Sequence, residues 1–147
     1  MMIQQFQMTP IMNFGNRILK QLLKLGLPFG GLRLLSHQGR KSGKLYLTPV
    51  ALVERENRRW LVSAFGEVNW VKNIRQSGNV NLIRGHQQET FEIQELAIED
   101  AAGILKMFLN DYYFVPFFRP YFHATRQSPV SDFIVDASQH AVFLILE

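Results

Sequence analysis

The chain has 147 residues, 47% of them hydrophobic and 12% aromatic, a net charge of +4 and no cysteine. That is enough apolar material for one compact core, and the missing cysteines exclude disulfides, thiolate metal sites and cysteine nucleophiles together. Residues 1–53 hold seven Lys or Arg and no acid, whereas residues 54–147 hold nine Lys or Arg and twelve Asp or Glu, so the amino-terminal part is the one suited to an anionic partner.

From residue 11 to residue 25, Ile11, Met12, Phe14, Ile18, Leu19, Leu22, Leu23 and Leu25 recur at mostly helical spacing, with Arg17, Lys20, Gln21 and Lys24 between them. The pattern predicts an amphipathic basic helix. It can pack on the domain's own core, the commoner use of such a face, or serve as a peripheral contact with an anionic membrane. No window reaches the ~18 apolar residues of a membrane span. Asn13, Gly15, Asn16 and Arg17 interrupt any signal-peptide core, so a cytoplasmic protein is expected. Residues 1–30 are read as helix and connector, and residues 31–147 as one domain.

Leu32 to His37 reads as a first strand and Leu45 to Glu54 as a second, with Pro49 implying a bulge or an edge position. Glu56-Asn57 marks a hairpin turn into a third strand, Arg59 to Phe65. Asn69 to Gln76 places Trp70, Val71 and Ile74 at helical spacing and stops at Ser77-Gly78. Two strands follow, Val80 to Arg84 and Glu89 to Leu96, then a helix from Ile98 to about Tyr113 with acids in its first turn. An aromatic tract, Tyr112 to Phe122, is twice broken by proline, and Ala141 to Leu146 is a last strand. The order of elements is α+β, mainly β.

The densest chemistry lies between the first two strands, in Gly39-Arg40-Lys41-Ser42-Gly43-Lys44. Two glycines four apart allow a tight turn, three cations supply charge and Ser42 a neutral donor, a combination suited to phosphate. The spacing is neither that of a Walker loop nor that of a dinucleotide fingerprint, and a basic turn alone is most often a solvated hairpin tip. Nucleic acid is not expected, because the turn carries only Tyr46 for stacking. His37, His86, His123 and His140 fall at no metal-ligand spacing, so no metal is expected.

The run Leu34 to Gly43 with Thr48-Pro49 downstream, then Gly66 and Asn69-Trp70-Val71-Lys72-Asn73-Ile74-Arg75, resembles the deazaflavin-dependent nitroreductase and quinone reductase family. The likeness covers roughly residues 32–96. It implies a single split β-barrel of the FMN-binding-like type with flanking helices, coenzyme F420 as cofactor with FMN as the alternative, and hydride transfer to a quinone, nitroaromatic or similar planar acceptor. It further implies that Gly39, Arg40, Lys41, Ser42 and Gly43 hold the phosphate and acidic tail of the coenzyme. Thr48 and Pro49 would border its ring, the backbone of Ser63, Ala64, Phe65 and Gly66 would face its polar edge, and Trp70 and Asn73 would shape the pocket. A hydroxyl of Tyr112 or Tyr113 is a candidate donor to the reduced acceptor, although paired tyrosines at a helix end are more often packing residues. Some relatives carry an aromatic–histidine pair where this chain has Val71-Lys72, and a longer loop than residues 65–69, which leaves the acceptor site open. The alternative from another class is a non-catalytic split barrel that binds FMN, haem or fatty acid.

Overall fold

The computed structural model describes residues 31–147, so the amphipathic stretch 11–25 and the division at residue 30 lie outside the described residues. The backbone forms β1 (Leu32–Gln38), β2 (Leu45–Arg55), β3 (Arg58–Val62), α1 (Asn69–Ser77), β4 (Asn79–Arg84), β5 (Gln87–Glu95), α2 (Ile98–Asp111), α3 (Phe133–Ala137) and β6 (Val142–Leu146). Single 3-10 turns lie at Arg119–Tyr121 and Val130–Asp132. All strand pairs are antiparallel, in the order β1-β2-β3-β6-β5-β4, and the pairing of β4 with β1 closes a barrel.

Each join has a local cause. Glu56 and Asn57 take left-handed conformations, with φ of 51° and 67°, the two-residue turn whose twist matches a hairpin. Helix α1 stops where Gly78, at φ 76°, donates its N–H to the carbonyl of Ile74. Ser63 to Phe65, expected to extend β3, instead turn back through Gly66. The Ser63 hydroxyl donates to the Gly66 carbonyl and the Gly66 N–H reaches back to the Ser63 carbonyl, so β3 ends at Val62.

Strand alternation divides the apolar residues between two clusters. Leu35, Val50, Leu52, Leu61, Leu82, Phe143 and Ile145 pack with Trp70, Val71 and Ile74, the buried face of α1. On the other face, Ala51, Val53 and Val62 meet Leu105, Phe108 and Leu109 of α2, with Tyr121, Phe122 and Phe133. Burial of each large side chain contributes about 1.5–3 kcal/mol. No helix among the described residues is long and apolar enough to cross a membrane.

Among the described residues, residues 45–50 of β2 pair only with β1, because β3 joins from Ala51 onward. Pro49 therefore sits at a locally open edge, where its missing N–H breaks no ladder, and that edge is where the barrel wall gives way to a cleft.

Candidate cofactor and active site

The cleft has a volume of about 470 Å³. Its cationic side is Gly39, Arg40, Lys41 and Ser42, and its apolar side is Pro49, Phe65, Val68 and Trp70. His37, Tyr46, Thr48, Asn69 and Asn73 complete the lining. The chain thus brings together, from β1, the basic turn, β2, the loop after β3 and α1, most of the residues that the family resemblance nominates.

The basic turn is closed by its own backbone. Gly39 N–H donates to the Lys44 carbonyl at 2.8 Å and Gly43 N–H to the Gly39 carbonyl at 2.9 Å. Gly43 takes φ 71°, a left-handed conformation that glycine adopts without steric cost. A Cβ on Gly39 would lie 2.9 Å from Ser42 Oγ and 3.1 Å from a ring carbon of Tyr46, so only glycine keeps the turn this tight. These bonds use amides that could otherwise face an anion. Lys41 and Ser42 N–H are not among the donors so used.

A hydrogen-bonded chain runs from the turn into the cleft. Asn73 Oδ1 accepts from the Arg40 backbone N–H at 3.2 Å and from Arg40 Nη1 at 3.1 Å. Asn73 Nδ2 lies 2.9 Å from His37 Nδ1, and His37 Nε2 lies 3.1 Å from Thr48 Oγ1. His37 and Asn73 are buried, at 8% and 5% exposed. Tyr46 stacks on the His37 ring at 5.7 Å, with Lys44 Nζ 5.6 Å from the Tyr46 ring.

Charge in the cleft is one-sided. Among the described residues no carboxylate lines it, and Arg40 and Lys41 enter no ion pair. The nearby Glu67 is already committed. Arg75 holds both its oxygens at 3.0 Å and reaches Glu95 at 2.8 and 2.9 Å, which pins the loop carrying Val68 and Asn69. The hydrogen bond from Arg75 keeps the Glu67 carboxyl below its ordinary pKa. That stabilisation is complete above the ordinary glutamate value and is lost as pH falls through the lowered one. Both partners are more than a third exposed, so the effect is under about 1 kcal/mol. The protection of the Val68 and Asn69 amides against deuterium exchange, taken relative to the intrinsic rate at each pH, is therefore expected to fall in acid, and Glu67→Gln to abolish that pH dependence.

Five nominated residues, Ser63, Ala64, Gly66, Tyr112 and Tyr113, stand outside the cleft lining. Ser63 and Ala64 are buried, and with Gly66 they form the turn below the cleft, of which only Phe65 reaches the lining. The Ser63 carbonyl instead takes a hydrogen bond from His140 Nδ1 at 2.8 Å. Tyr112 and Tyr113 line a separate cavity of about 380 Å³, on the other side of the Phe65–Phe118 contact. Tyr112 is buried, and its hydroxyl donates to the Leu52 carbonyl at 2.8 Å. Burial pushes its pKa well up, so this hydroxyl is a core pin turned away from the cleft. Tyr112→Phe is expected to lower stability by about 1–2 kcal/mol, seen as a shifted urea midpoint, with coenzyme affinity retained.

Reading by residue type missed His37, Tyr46, Val68 and Asn69. The signal for two of them is period 2 across the ladder. His37 pairs with Tyr46 and Leu35 with Thr48, so all four share one face of the sheet.

An antiparallel barrel with a cationic turn and an aromatic wall at its open edge defines a split-barrel protein suited to a flat, phosphorylated cofactor. The family model described as F420H(2)-dependent quinone reductase matches residues 15–113, and the chain belongs to that family. Coenzyme F420 is accordingly its cofactor and reduction its kind of chemistry. Solved structures agree on the fold. A domain-swapped dimer is 16% identical with a TM-score of 0.55, covering 94% of this chain and 100% of that one. An F420-H2 dependent reductase, FDR-A, is 18% identical with a TM-score of 0.52, covering 79% and 94%. A protein of unknown function from Agrobacterium tumefaciens is 10% identical with a TM-score of 0.54, covering 88% and 52%. Comparison with curated proteins gives no match.

The lining suits the coenzyme on its own chemistry. Cations that enter no ion pair among the described residues line one side, the Gly39 turn is tight, and the opposite side is apolar, a donor set that fits a phosphorylated ring cofactor.

Proposed function

We propose that the chain passes hydride from reduced F420 to a planar conjugated acceptor, a quinone in the first place and a nitroaromatic in the second. One observation carries this reading: a single cleft joins an aromatic wall to a cationic turn whose Arg40 and Lys41 enter no ion pair among the described residues. Arg40, Lys41 and Ser42 would hold the phosphate and acidic tail, Thr48 and Pro49 would border the ring, and Trp70 and Phe65 would flank it.

The reduced deazaflavin supplies the hydride when bound. The chain's own residues contribute position and dryness. The cleft offers no thiol or carboxylate, and hydride transfer needs neither. It needs the acceptor held face to face with the donor ring, where orientation removes much of the entropic barrier. Val68, Phe65 and Trp70 exclude water from that space. The loop of residues 65–69, clamped by Arg75, keeps those walls in place.

Purified full-length protein titrated in parallel with F420, FMN and haem tests the reading, followed by mixing of the reduced F420 complex with a soluble quinone and with a nitroimidazole. Saturable F420 binding and reoxidation by quinone are the expected result. Binding of FMN or haem in preference to F420, or an F420 complex inert to every quinone, would overturn it.

A further inference from the structure

We propose that His37 is a positioning residue that sets two properties of the cleft at once, the anchoring of Arg40 and the direction of the Thr48 hydroxyl. The inference rests on the reading of the cleft as the coenzyme site.

The argument is one of donors and acceptors. Asn73 receives two N–H groups from Arg40, and only its carbonyl oxygen can accept them. Its amide nitrogen therefore faces His37 Nδ1 at 2.9 Å, and an amide NH₂ is a donor only. Nδ1 must then be the bare, accepting nitrogen, which puts the ring proton on Nε2. Nε2 lies 3.1 Å from Thr48 Oγ1, so the imidazole donates there. A hydroxyl that accepts from one side gives its own proton elsewhere. Thr48 lines the cleft and borders the space given to the coenzyme ring, so the Thr48 proton becomes available to an acceptor atom of the ring or of the substrate.

The two arms are chemically separable. The Nδ1 arm acts through Asn73 on Arg40 and hence on the phosphate and acidic tail. The Nε2 arm acts through Thr48 on the reacting end. The ring also stacks on Tyr46 with planes 22° apart, a packing role that needs no nitrogen.

Variants at this position can keep one arm at a time. His37→Phe keeps the ring and its stack and loses both arms. An asparagine carbonyl reaches about as far as Nδ1, and a glutamine amide about as far as Nε2. Kd for oxidised F420 and the kcat and KM of quinone reduction are measured for the full-length chain and each variant, with melting temperature as the folding check. His37→Phe is expected to raise Kd and lower kcat by about tenfold each, the scale of one neutral intramolecular hydrogen bond. His37→Asn is expected to recover Kd alone and His37→Gln to recover kcat alone. Wild-type Kd and kcat in His37→Phe, or identical behaviour of the Asn and Gln variants, would overturn the proposal. Should His37→Phe fail to fold, the Asn and Gln pair decides alone. A separate readout needs no coenzyme. In the ¹⁵N spectrum of the apoprotein, His37 is expected to show a bare Nδ1 and a protonated Nε2, and the opposite tautomer or a doubly protonated ring would overturn the relay. A wild-type chain that fails to bind F420 while showing that tautomer would sink the functional reading and leave the relay standing.

Discussion

Replacing Arg40 and Lys41 together by alanine is expected to weaken F420 binding by about 3–6 kcal/mol while leaving the barrel folded. Each charge-assisted contact to a phosphate or carboxylate contributes about 1.5–3 kcal/mol, and no carboxylate in the cleft lining competes for these two cations. Both side chains are exposed, so their truncation opens no core cavity. The loss should be larger for Arg40 than for Lys41, because Arg40 is the one held in place, by Asn73 at 3.1 Å, and a pre-positioned donor loses less side-chain entropy on binding. Affinity of the wild type should also fall with added salt, as exposed charges are screened, and that salt dependence should flatten in the double variant. Fluorescence titration at low and high salt measures both effects. An unchanged Kd would remove the basic turn from the coenzyme site.

The sequence made legible the features whose causes are local. Gly39 and Gly43 mark the turn after β1, Glu56-Asn57 the hairpin, and Ser77-Gly78 the end of α1, because in each place a residue type meets a backbone demand within a few positions. Helix α3 carries no such mark. It spans only Phe133–Ala137 and buries Phe133, Asp136 and Ala137, too few residues for a helical period to be read. It is fixed instead by long-range bonds, with the Asp136 carboxylate accepting the N–H groups of His123 at 2.6 Å and Ala124 at 3.0 Å. His140, by its spacing an ordinary histidine, bridges the carbonyls of Ser63 and Tyr121 at 2.8 and 2.7 Å and so ties the turn below the cleft to the aromatic tract. The site follows the same rule. Its cationic side is contiguous in sequence and can be recognised there. Its buried side is assembled from residues 33 and 36 positions apart, Arg40 with Asn73 and His37 with Asn73, and pairing at that distance exists only once the barrel has closed.

Trp70→Ala is expected to lower both stability and coenzyme affinity, and the two losses have one origin. Trp70 is 8% exposed. It packs in the cluster of inward-facing strand residues with Val71 and Ile74 of α1, and it also lines the cleft. Removal of a buried tryptophan side chain costs about 3–5 kcal/mol, a large share of the 5–15 kcal/mol that holds a typical domain together, so a fall in melting temperature is expected. On the cleft side, the deletion replaces a flat wall by a hole and loosens α1 next to Asn73, which anchors Arg40. Trp70→Phe separates the roles, because a smaller ring restores most of the apolar contact and less of the wall. Affinity is expected to follow the order wild type, Phe, Ala even when compared well below each variant's melting temperature. If Trp70→Ala lowers the melting temperature and leaves Kd unchanged, Trp70 belongs to the core alone and the apolar face of the coenzyme site must be sought in Phe65 and Pro49.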